Sequence, residues 1–167
     1  LYHWTHLELS RIFGIHKVLN PTSAEDIYAT CTDKLRTPEY RAQAIMKRMN
    51  VEIVCTTDDP IDSLEFHQKI RSSGCHTRVY PAWRPDKVLA IDNFKALNDY
   101  LSKLEAAADK TILTYKHLLE ALQKRHDFFA AQGCRLSDHG LDTFYAEPYT
   151  EQEIEVIFLK ARMGKSL

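Results

Sequence analysis

The stretch VEIVCTTDDP, from Val51 to Pro60, decides the fold, because a short β-branched run passes directly into a polar turn. This layout is typical of a strand that ends in a loop. Two later stretches repeat it: Thr77 to Pro81 is followed by Arg84-Pro85-Asp86, and Cys134 to Ser137 is followed by Asp138-His139-Gly140. The sequence therefore predicts three short strands, each with polar residues at its end.

Helical segments separate these strands. Ser63 to Ser72 lies between the first and second strands, and two longer segments, Asp92 to Ala108 and Ile112 to Gln132, lie between the second and third. Asp92 is the expected N-cap of its helix, and Gly133 ends the next one. Connections of this length let neighbouring strands run parallel. The predicted fold class is α/β.

The two ends of the chain also read as helical. An apolar-aromatic stretch runs from Tyr2 to Phe13, Thr22 and Ser23 can cap a helix through Leu35, and Thr37-Pro38-Glu39 opens a helix to Met49. Near the other end, Thr150 to Glu153 has the pattern of a capping box. We therefore expect a helical region over residues 1–50.

Three strands cannot close a (β/α)8 TIM barrel, which takes about 250 residues. The alternatives are a small open sheet and part of a barrel, and we favour the second. Residues 51–167 would then be a partial barrel segment. Together with the helical region it would form one structural unit, cut from a longer chain.

Composition excludes several classes of protein. Lys and Arg number 22 and Asp and Glu number 23, with no dense basic run, so neither a nucleic-acid partner nor a membrane partner is expected. No apolar run approaches the ~20 residues that span a bilayer. The four cysteines form no CxxC pair, which disfavours a zinc ribbon and a disulfide scaffold and favours reduced thiols in the cytoplasm.

The carboxyl ends of parallel strands are where such folds bind ligands. After the first strand, Asp58 and Asp59 are suited to bind sugar hydroxyls, to hold a cation or simply to cap the next helix. After the second, Arg84 offers a planar fork for a carboxylate or phosphate beside the aromatic Trp83, unless an ion pair with Asp86 only fixes the loop.

After the third strand, Asp138 and His139 are adjacent, so they should face opposite sides of the sheet and not act together as a dyad. His3 and His6 have helical spacing without a third ligand, and we expect them to be structural. The stripe Tyr115, Leu118, Leu119, Leu122 and Phe129 reads as core. The chain lacks GxGxxG, GxxxxGK[ST] and GxSxG, which removes nucleotide-binding and nucleophile-elbow interpretations.

Four strings in this order resemble the uronate (glucuronate) isomerase family: LYHWTHLELS from Leu1 to Ser10, VEIVCTTDDPIDSLEFH from Val51 to His67, PAWRPDKVLAID from Pro81 to Asp92, and GCRLSDHGLD from Gly133 to Asp142. The resemblance covers nearly the whole chain. It implies the amidohydrolase superfamily and its (β/α)8 barrel. It also implies interconversion of D-glucuronate with D-fructuronate and of D-galacturonate with D-tagaturonate.

The resemblance transfers two residues by their motifs. Arg84 in WRPD would bind the uronate carboxylate, and Asp138 in SDHG would be catalytic, binding hydroxyls or assisting proton movement. Four further substrate-binding candidates lie in similar strings: Asp58, Asp59, Trp83 and His139. Uronate sugar acids are the implied partners, and a homo-oligomer is compatible with the family.

Other parts of the family pattern have no counterpart here. The HxH metal motif of the first barrel strand, the His-Tyr pair, a later histidine and the final-strand aspartate and arginine are all missing. Because the family has this metal motif, zinc or another divalent metal is expected in the full-length enzyme. We expect no metal ligand in this segment, and we expect the segment alone to be inactive. The alternatives are a metal-dependent hydrolase of the same superfamily and a non-catalytic sugar-acid binding module.

Overall fold

The structure is a computed structural model that describes residues 1–141, 143 and 146–165. Asp142, which ends the last of the strings quoted above, lies outside this range. The elements follow in chain order: α1 (Tyr2–Arg11), α2 (Ala24–Leu35), α3 (Ala42–Arg48), β1 (Ile53–Cys55), α4 (Glu65–Ser72), β2 (Arg78–Tyr80), α5 (Phe94–Ala108), α6 (Tyr115–Ala131) and α7 (Glu151–Arg162).

The chain divides into two compact units. One comprises Leu1–Val54 with Gly74–Arg78, and the other comprises Cys55–Ser73 with Val79–Leu167. In the first unit, α2 carries the buried Ile27 and follows the turn that Ser23 closes by donating a hydrogen bond to the Val18 carbonyl. His6 accepts the Leu19 backbone N–H at 3.0 Å, so it has the structural role expected of it.

The second unit has its core between α5, α6 and α7. Its fully buried side chains include Leu101, Leu104 and Ala121, and Phe158 of α7 packs on the same cluster. A second cluster joins Leu64 to Phe129 of α6. These helices, together with a two-stranded sheet, agree with the α/β class.

Strands β1 and β2 form a two-stranded parallel sheet. The pairing continues past their ends: the Thr56 N–H donates to the Tyr80 carbonyl at 3.0 Å, and the Ala82 N–H returns to the Thr56 carbonyl at 3.1 Å. Isolated parallel bridges then join Asp58 to Trp83 and Trp83 to Ser137. Three chain segments therefore end side by side and in the same direction.

The predicted third strand, Cys134 to Ser137, is wrong as a strand, because only Ser137 forms a bridge. The Cys134 N–H is not available to a ladder, since it donates to the Phe129 carbonyl and closes the end of α6. The segment nevertheless runs parallel beside β2, as expected of a third strand end.

Three helix predictions need correction. The helix expected from Thr37 to Met49 breaks at Arg41, whose extended backbone (φ −67°, ψ 154°) separates a 3-10 turn, Pro38–Tyr40, from α3. Asn93 caps α5 in place of Asp92, because its side chain accepts the Ala96 N–H. The helix expected from Ile112 begins at Tyr115, after Thr114 accepts the His117 N–H.

The end of the chain follows its local signals more closely. The capping box at Thr150 is confirmed, with the Glu153 N–H donating to the Thr150 hydroxyl and the Thr150 N–H donating to the Glu153 carboxylate. Within the stripe on α6, Leu118 and Phe129 are buried, but Leu119 is 47% exposed and does not belong to the core.

Candidate functional site

Arg84 and Asp138 lie at the centre of the joined strand ends. Nη2 of Arg84 donates to Oδ2 of Asp138 at 2.7 Å, and the Thr57 hydroxyl donates to the same oxygen at 2.6 Å. One residue from each of the three segments therefore meets at a single carboxylate. All three side chains remain partly open to solvent, so the cluster is accessible to a ligand.

The pairing of Arg84 differs from the simple alternative of an internal pair with Asp86. Nε of Arg84 lies 3.9 Å from Oδ2 of Asp86, at the limit of an ion pair, whereas its contact with Asp138 is a short hydrogen bond. Nε is buried and has no hydrogen-bond partner among the described residues. A guanidinium has five N–H donors, and those of Nη1 form no hydrogen bond with the described residues and are not buried, so they remain for an anionic ligand.

The contacts of Asp138 lower the pKa of its carboxyl below the ordinary value. The hydrogen bond from Thr57 is the largest cause, followed by the hydrogen bond from Arg84, and both stabilise the ionised form. Asp138 is therefore a carboxylate at neutral pH. It can accept a hydrogen bond from a hydroxyl group, but it is a weak base.

Asp86 holds the loop that follows Asp138. Its carboxylate accepts a hydrogen bond from Nδ1 of His139 at 2.8 Å and another from the Gly140 N–H at 2.7 Å. Burial raises the pKa of Asp86, but the hydrogen bonds from Gly140 and His139 and the charges of His139 and Arg84 outweigh burial and lower it. His139 thus contacts Asp86, while Asp138 contacts Arg84, in agreement with the prediction that the two adjacent residues are not a dyad.

Asp58 is buried and bound on several sides. Its Oδ2 accepts the Thr56 hydroxyl at 2.6 Å and the Ala82 N–H at 3.2 Å, and Nε2 of His67 lies 3.7 Å away. The backbone carbonyl of Asp58 accepts the Arg84 N–H at 3.0 Å. Asp58 therefore joins the ends of β1 and β2 and binds the backbone of Arg84.

Asp59 stabilises the turn that follows. Its carboxylate accepts the Ile61 N–H at 3.1 Å and the Tyr100 hydroxyl at 2.8 Å, and Nζ of Lys87 lies 3.0 Å away. Burial raises the pKa of Tyr100, and the hydrogen bond to Asp59 and its charge add to this effect. These contacts are those of a turn residue, and the alternative that Asp58 or Asp59 caps the next helix is wrong, because α4 begins after Leu64 without a side-chain cap.

Trp83 lies in the core behind the strand ends. It is 9% exposed, and its ring meets those of Phe129 and His126 edge to face, with centroids 5.1 and 5.4 Å apart. Its backbone takes part in both bridges between the segments. Trp83 therefore packs into the core while the next residue, Arg84, is partly exposed, and the role of Trp83 as a substrate-binding residue stays a prediction.

Sequence reasoning missed Thr57 and His67. Thr57 stands in the quoted TTDDP turn, but a lone threonine carries no signal for a contact 81 residues away. The sequence assigns no role to His67, although it is buried against Thr56. The available signals were its position in α4, one helix after β1, and its place at the end of the string from Val51 to His67.

The donor set does not fit a metal centre. Among the residues that the structure describes, no group of three or more His, Cys, Asp or Glu side chains could hold a metal ion. None of the described helices is long and apolar enough to cross a membrane. The chemistry of the described site is that of an arginine, a carboxylate and hydroxyl groups.

Comparison with known proteins gives a consistent result. The sequence profile of the glucuronate isomerase family matches residues 1–167. Uronate isomerase from Phocaeicola vulgatus is 53% identical over 167 residues, and that from Bacteroides fragilis strain YCH46 is 54% identical over the same length. Each alignment covers 100% of this chain and 36% of the relative, so the chain spans about a third of the length of these relatives.

Solved structures agree with the sequence comparison. The chain matches the crystal structure of uronate isomerase from Thermotoga maritima with a TM-score of 0.90 and 35% identity, over 99% of this chain and 36% of the other. It matches glucuronate isomerase from Caulobacter crescentus with a TM-score of 0.86 and 30% identity, over 96% and 33%. Since the profile matches the chain along its whole length and the backbone matches these structures, the chain belongs to the glucuronate isomerase family.

Proposed function

We propose that this chain forms part of the active site of a uronate isomerase. The enzyme would interconvert D-glucuronate with D-fructuronate and D-galacturonate with D-tagaturonate. The relatives of this chain are named uronate isomerase. They are about three times its length, so the complete site would draw on residues beyond these 167. The three parallel strand ends would be successive strands of a (β/α)8 barrel, in keeping with their order and their helical connections.

The observation that carries the proposal is the placement of Arg84. Its guanidinium lies where three strand ends meet, Asp138 holds it from one side, and its side chain is 37% exposed. A carboxylate is the ligand that best matches a guanidinium fork. Arg84 is therefore assigned to the C6 carboxylate that distinguishes a uronate from a neutral hexose.

Asp138 would hold Arg84 in place and accept a sugar hydroxyl. Aldose-ketose isomerisation moves a proton between adjacent carbons, which needs a base with a pKa near the working pH. The lowered pKa of Asp138 disfavours that role while it is bound to Arg84 and Thr57, and it favours hydroxyl binding. His139, at 44% side-chain exposure beside Asp86, is a second group within the same loop for binding hydroxyls.

The proposed location is the cytoplasm. All four cysteines are free thiols, with Cys55 exposed and Cys134 buried. Reduced cysteines of this kind are the rule in the reducing cytoplasm. Fractionation of cells that express the protein would test this point.

A titration followed by NMR tests the assignment of Arg84. Glucuronate should shift the side-chain Nε–H signal of Arg84, and glucose, which lacks the carboxylate, should not. The shifts seen elsewhere on addition of glucuronate should disappear in Arg84→Ala and remain in Arg78→Ala. Arg78 is a suitable control because its ion pair with Glu52 is exposed, with 3.9 Å between Nη2 and Oε2. Equal responses to both sugars, or an unchanged response in Arg84→Ala, would overturn the assignment.

A further inference from the structure

His67 is a buried histidine that the proposed chemistry does not use. It lies in α4, is 7% exposed, and its Nε2 is 2.7 Å from the Thr56 hydroxyl. Its Nδ1 is buried and has no partner among the described residues. A buried polar atom without a partner is unusual and needs an explanation.

The hydrogen-bond partners of Thr56 fix the tautomer of His67. A threonine hydroxyl has one hydrogen to donate, and the carboxylate of Asp58, at 2.6 Å, is its strongest acceptor. Nε2 of His67 must then carry a hydrogen and donate it to Thr56. Nδ1 is left as an acceptor, which is less costly to bury unpaired than an N–H group.

The resulting chain of hydrogen bonds runs from His67 through Thr56 to Asp58. The Asp58 carboxylate continues it to the Ala82 N–H at 3.2 Å, and the Asp58 carbonyl accepts the Arg84 N–H at 3.0 Å. The Ala82 N–H is shared between the Asp58 carboxylate and the Thr56 carbonyl, and the Thr56 hydroxyl lies 3.3 Å from the Tyr80 carbonyl but closer to Asp58. His67 is thereby connected to the backbone of Arg84 through the end of β1.

We infer that His67 is a positioning residue, which holds the Asp58 carboxylate through Thr56 and so fixes the backbone of Arg84 at the strand end. This inference rests on the proposed role of Arg84 in binding the uronate carboxylate. The guanidinium of Arg84 can form two parallel hydrogen bonds to a carboxylate only in the correct orientation. The backbone of Arg84 must therefore be held in place.

Hydrogen exchange of the full chain tests this inference without any sugar. In His67→Leu and in Thr56→Val, the Arg84 backbone amide should exchange at least about fivefold faster, the effect of losing one hydrogen bond. The Leu101 amide, whose side chain is fully buried, reports global unfolding and serves to normalise the rates. Thr56→Val keeps the side-chain volume and tests the same link if His67→Leu does not fold.

Matched variants separate positioning from general stability. His67→Gln retains a side-chain N–H that can reach Thr56, and Thr56→Ser retains the hydroxyl, so both should restore slow exchange at Arg84. Thr77→Val removes a hydroxyl from a residue 2% exposed, whose bond goes to the Val51 carbonyl, and should leave the Arg84 rate unchanged.

The ring spectrum of His67 provides a second readout. A nitrogen–proton correlation spectrum should show the hydrogen on Nε2. The inference is overturned if the hydrogen lies on Nδ1, or if His67→Leu and Thr56→Val affect Arg84 no more than Thr77→Val does. If glucuronate fails to contact Arg84 while these exchange results hold, the proposed function is wrong and the positioning role of His67 stands.

Discussion

Arg84 and Asp138 are 54 residues apart in the sequence, and their side chains meet at 2.7 Å. The contact follows from the sheet, because the bridge between Trp83 and Ser137 places the next residue of each segment side by side. The backbone reinforces it, since the Asp138 N–H donates to the Trp83 carbonyl at 3.0 Å. The ion pair is therefore a consequence of parallel strand order and not of local loop structure.

Replacement of Asp138 by Asn should give a pH-dependent loss of stability. The folded-state pKa of Asp138 is lowered, so its carboxylate stabilises the fold above the unfolded-state pKa of about 3.9, and this contribution is lost as the pH falls through the folded-state pKa. Asp138→Asn should be less stable than the parent at pH 6, and the two should converge under acid conditions. Urea unfolding at a series of pH values measures this.

The control for that series is Asp92→Asn, which changes an exposed aspartate away from Arg84. Its difference from the parent should be small and nearly independent of pH. A stability gap for Asp138→Asn that widens on acidification would contradict the assigned direction of the pKa shift.

Replacement of Arg125 by Met should destabilise the second unit by about 2–4 kcal/mol. Arg125 is 9% exposed and donates to the carbonyls of Pro60, Asp62 and Ala107 at 2.7, 2.8 and 3.1 Å. Methionine fills similar space but leaves these carbonyls without their donor. Chemical denaturation gives the free energy of unfolding.

Arg135→Met is the matched comparison for Arg125. Arg135 is exposed, although it also donates to two carbonyls, those of Ala130 and Cys134. Water can replace those bonds, so we expect a loss below about 1 kcal/mol. Equal losses in the two variants would show that burial does not decide the contribution of Arg125.

Gly133→Ala should destabilise the protein more than Gly74→Ala. Both glycines have positive φ, +97° and +71°, so both variants incur about 1–2 kcal/mol of backbone strain. A Cβ at Gly133 would also lie 3.0 Å from Cδ1 of Tyr80, whereas one at Gly74 would have no neighbour within 4 Å. We expect the difference to be at least about 1 kcal/mol. Thermal unfolding of both variants tests this, and equal losses would exclude the steric contribution.

The sequence predicted the elements with strong local signals. The capping box at Thr150 and the end of α6 at Gly133 are determined by a few neighbouring residues, and both were found correctly. The cap of α5 was displaced by one residue because Asp92 and Asn93 have similar capping strength, and only the fold decides between them. The helix expected through Arg41 failed because its start signal at Pro38 was satisfied by a single 3-10 turn.

The candidate site was predictable only in part. Strand-end position and family resemblance both pointed to Arg84 and Asp138, and the structure brings the two together. Thr57 and His67 could not be found, because their partners depend on which strands become neighbours and on how α4 lies against β1. The pairing of His139 with Asp86 depends on the same long-range arrangement.

The 167-residue chain alone should not turn over uronates, with or without added zinc. Its described residues supply the arginine that we propose for carboxylate binding and an ionised aspartate, whereas proton transfer between adjacent carbons needs both an acid and a base. An assay of purified chain with glucuronate, with and without zinc, measures this. Isomerase activity comparable to that of a full-length relative would contradict the prediction.

The central claim is that Arg84 binds the substrate carboxylate. Its most direct test is steady-state kinetics of an enzyme that has the full length of the relatives and contains these 167 residues. Arg84→Ala should lower kcat/KM for glucuronate by about 10²–10³-fold, the cost of removing one partner of a charged hydrogen-bonded pair, while Arg78→Ala changes it less than about twofold. A kcat/KM for Arg84→Ala within about twofold of the parent would contradict the claim.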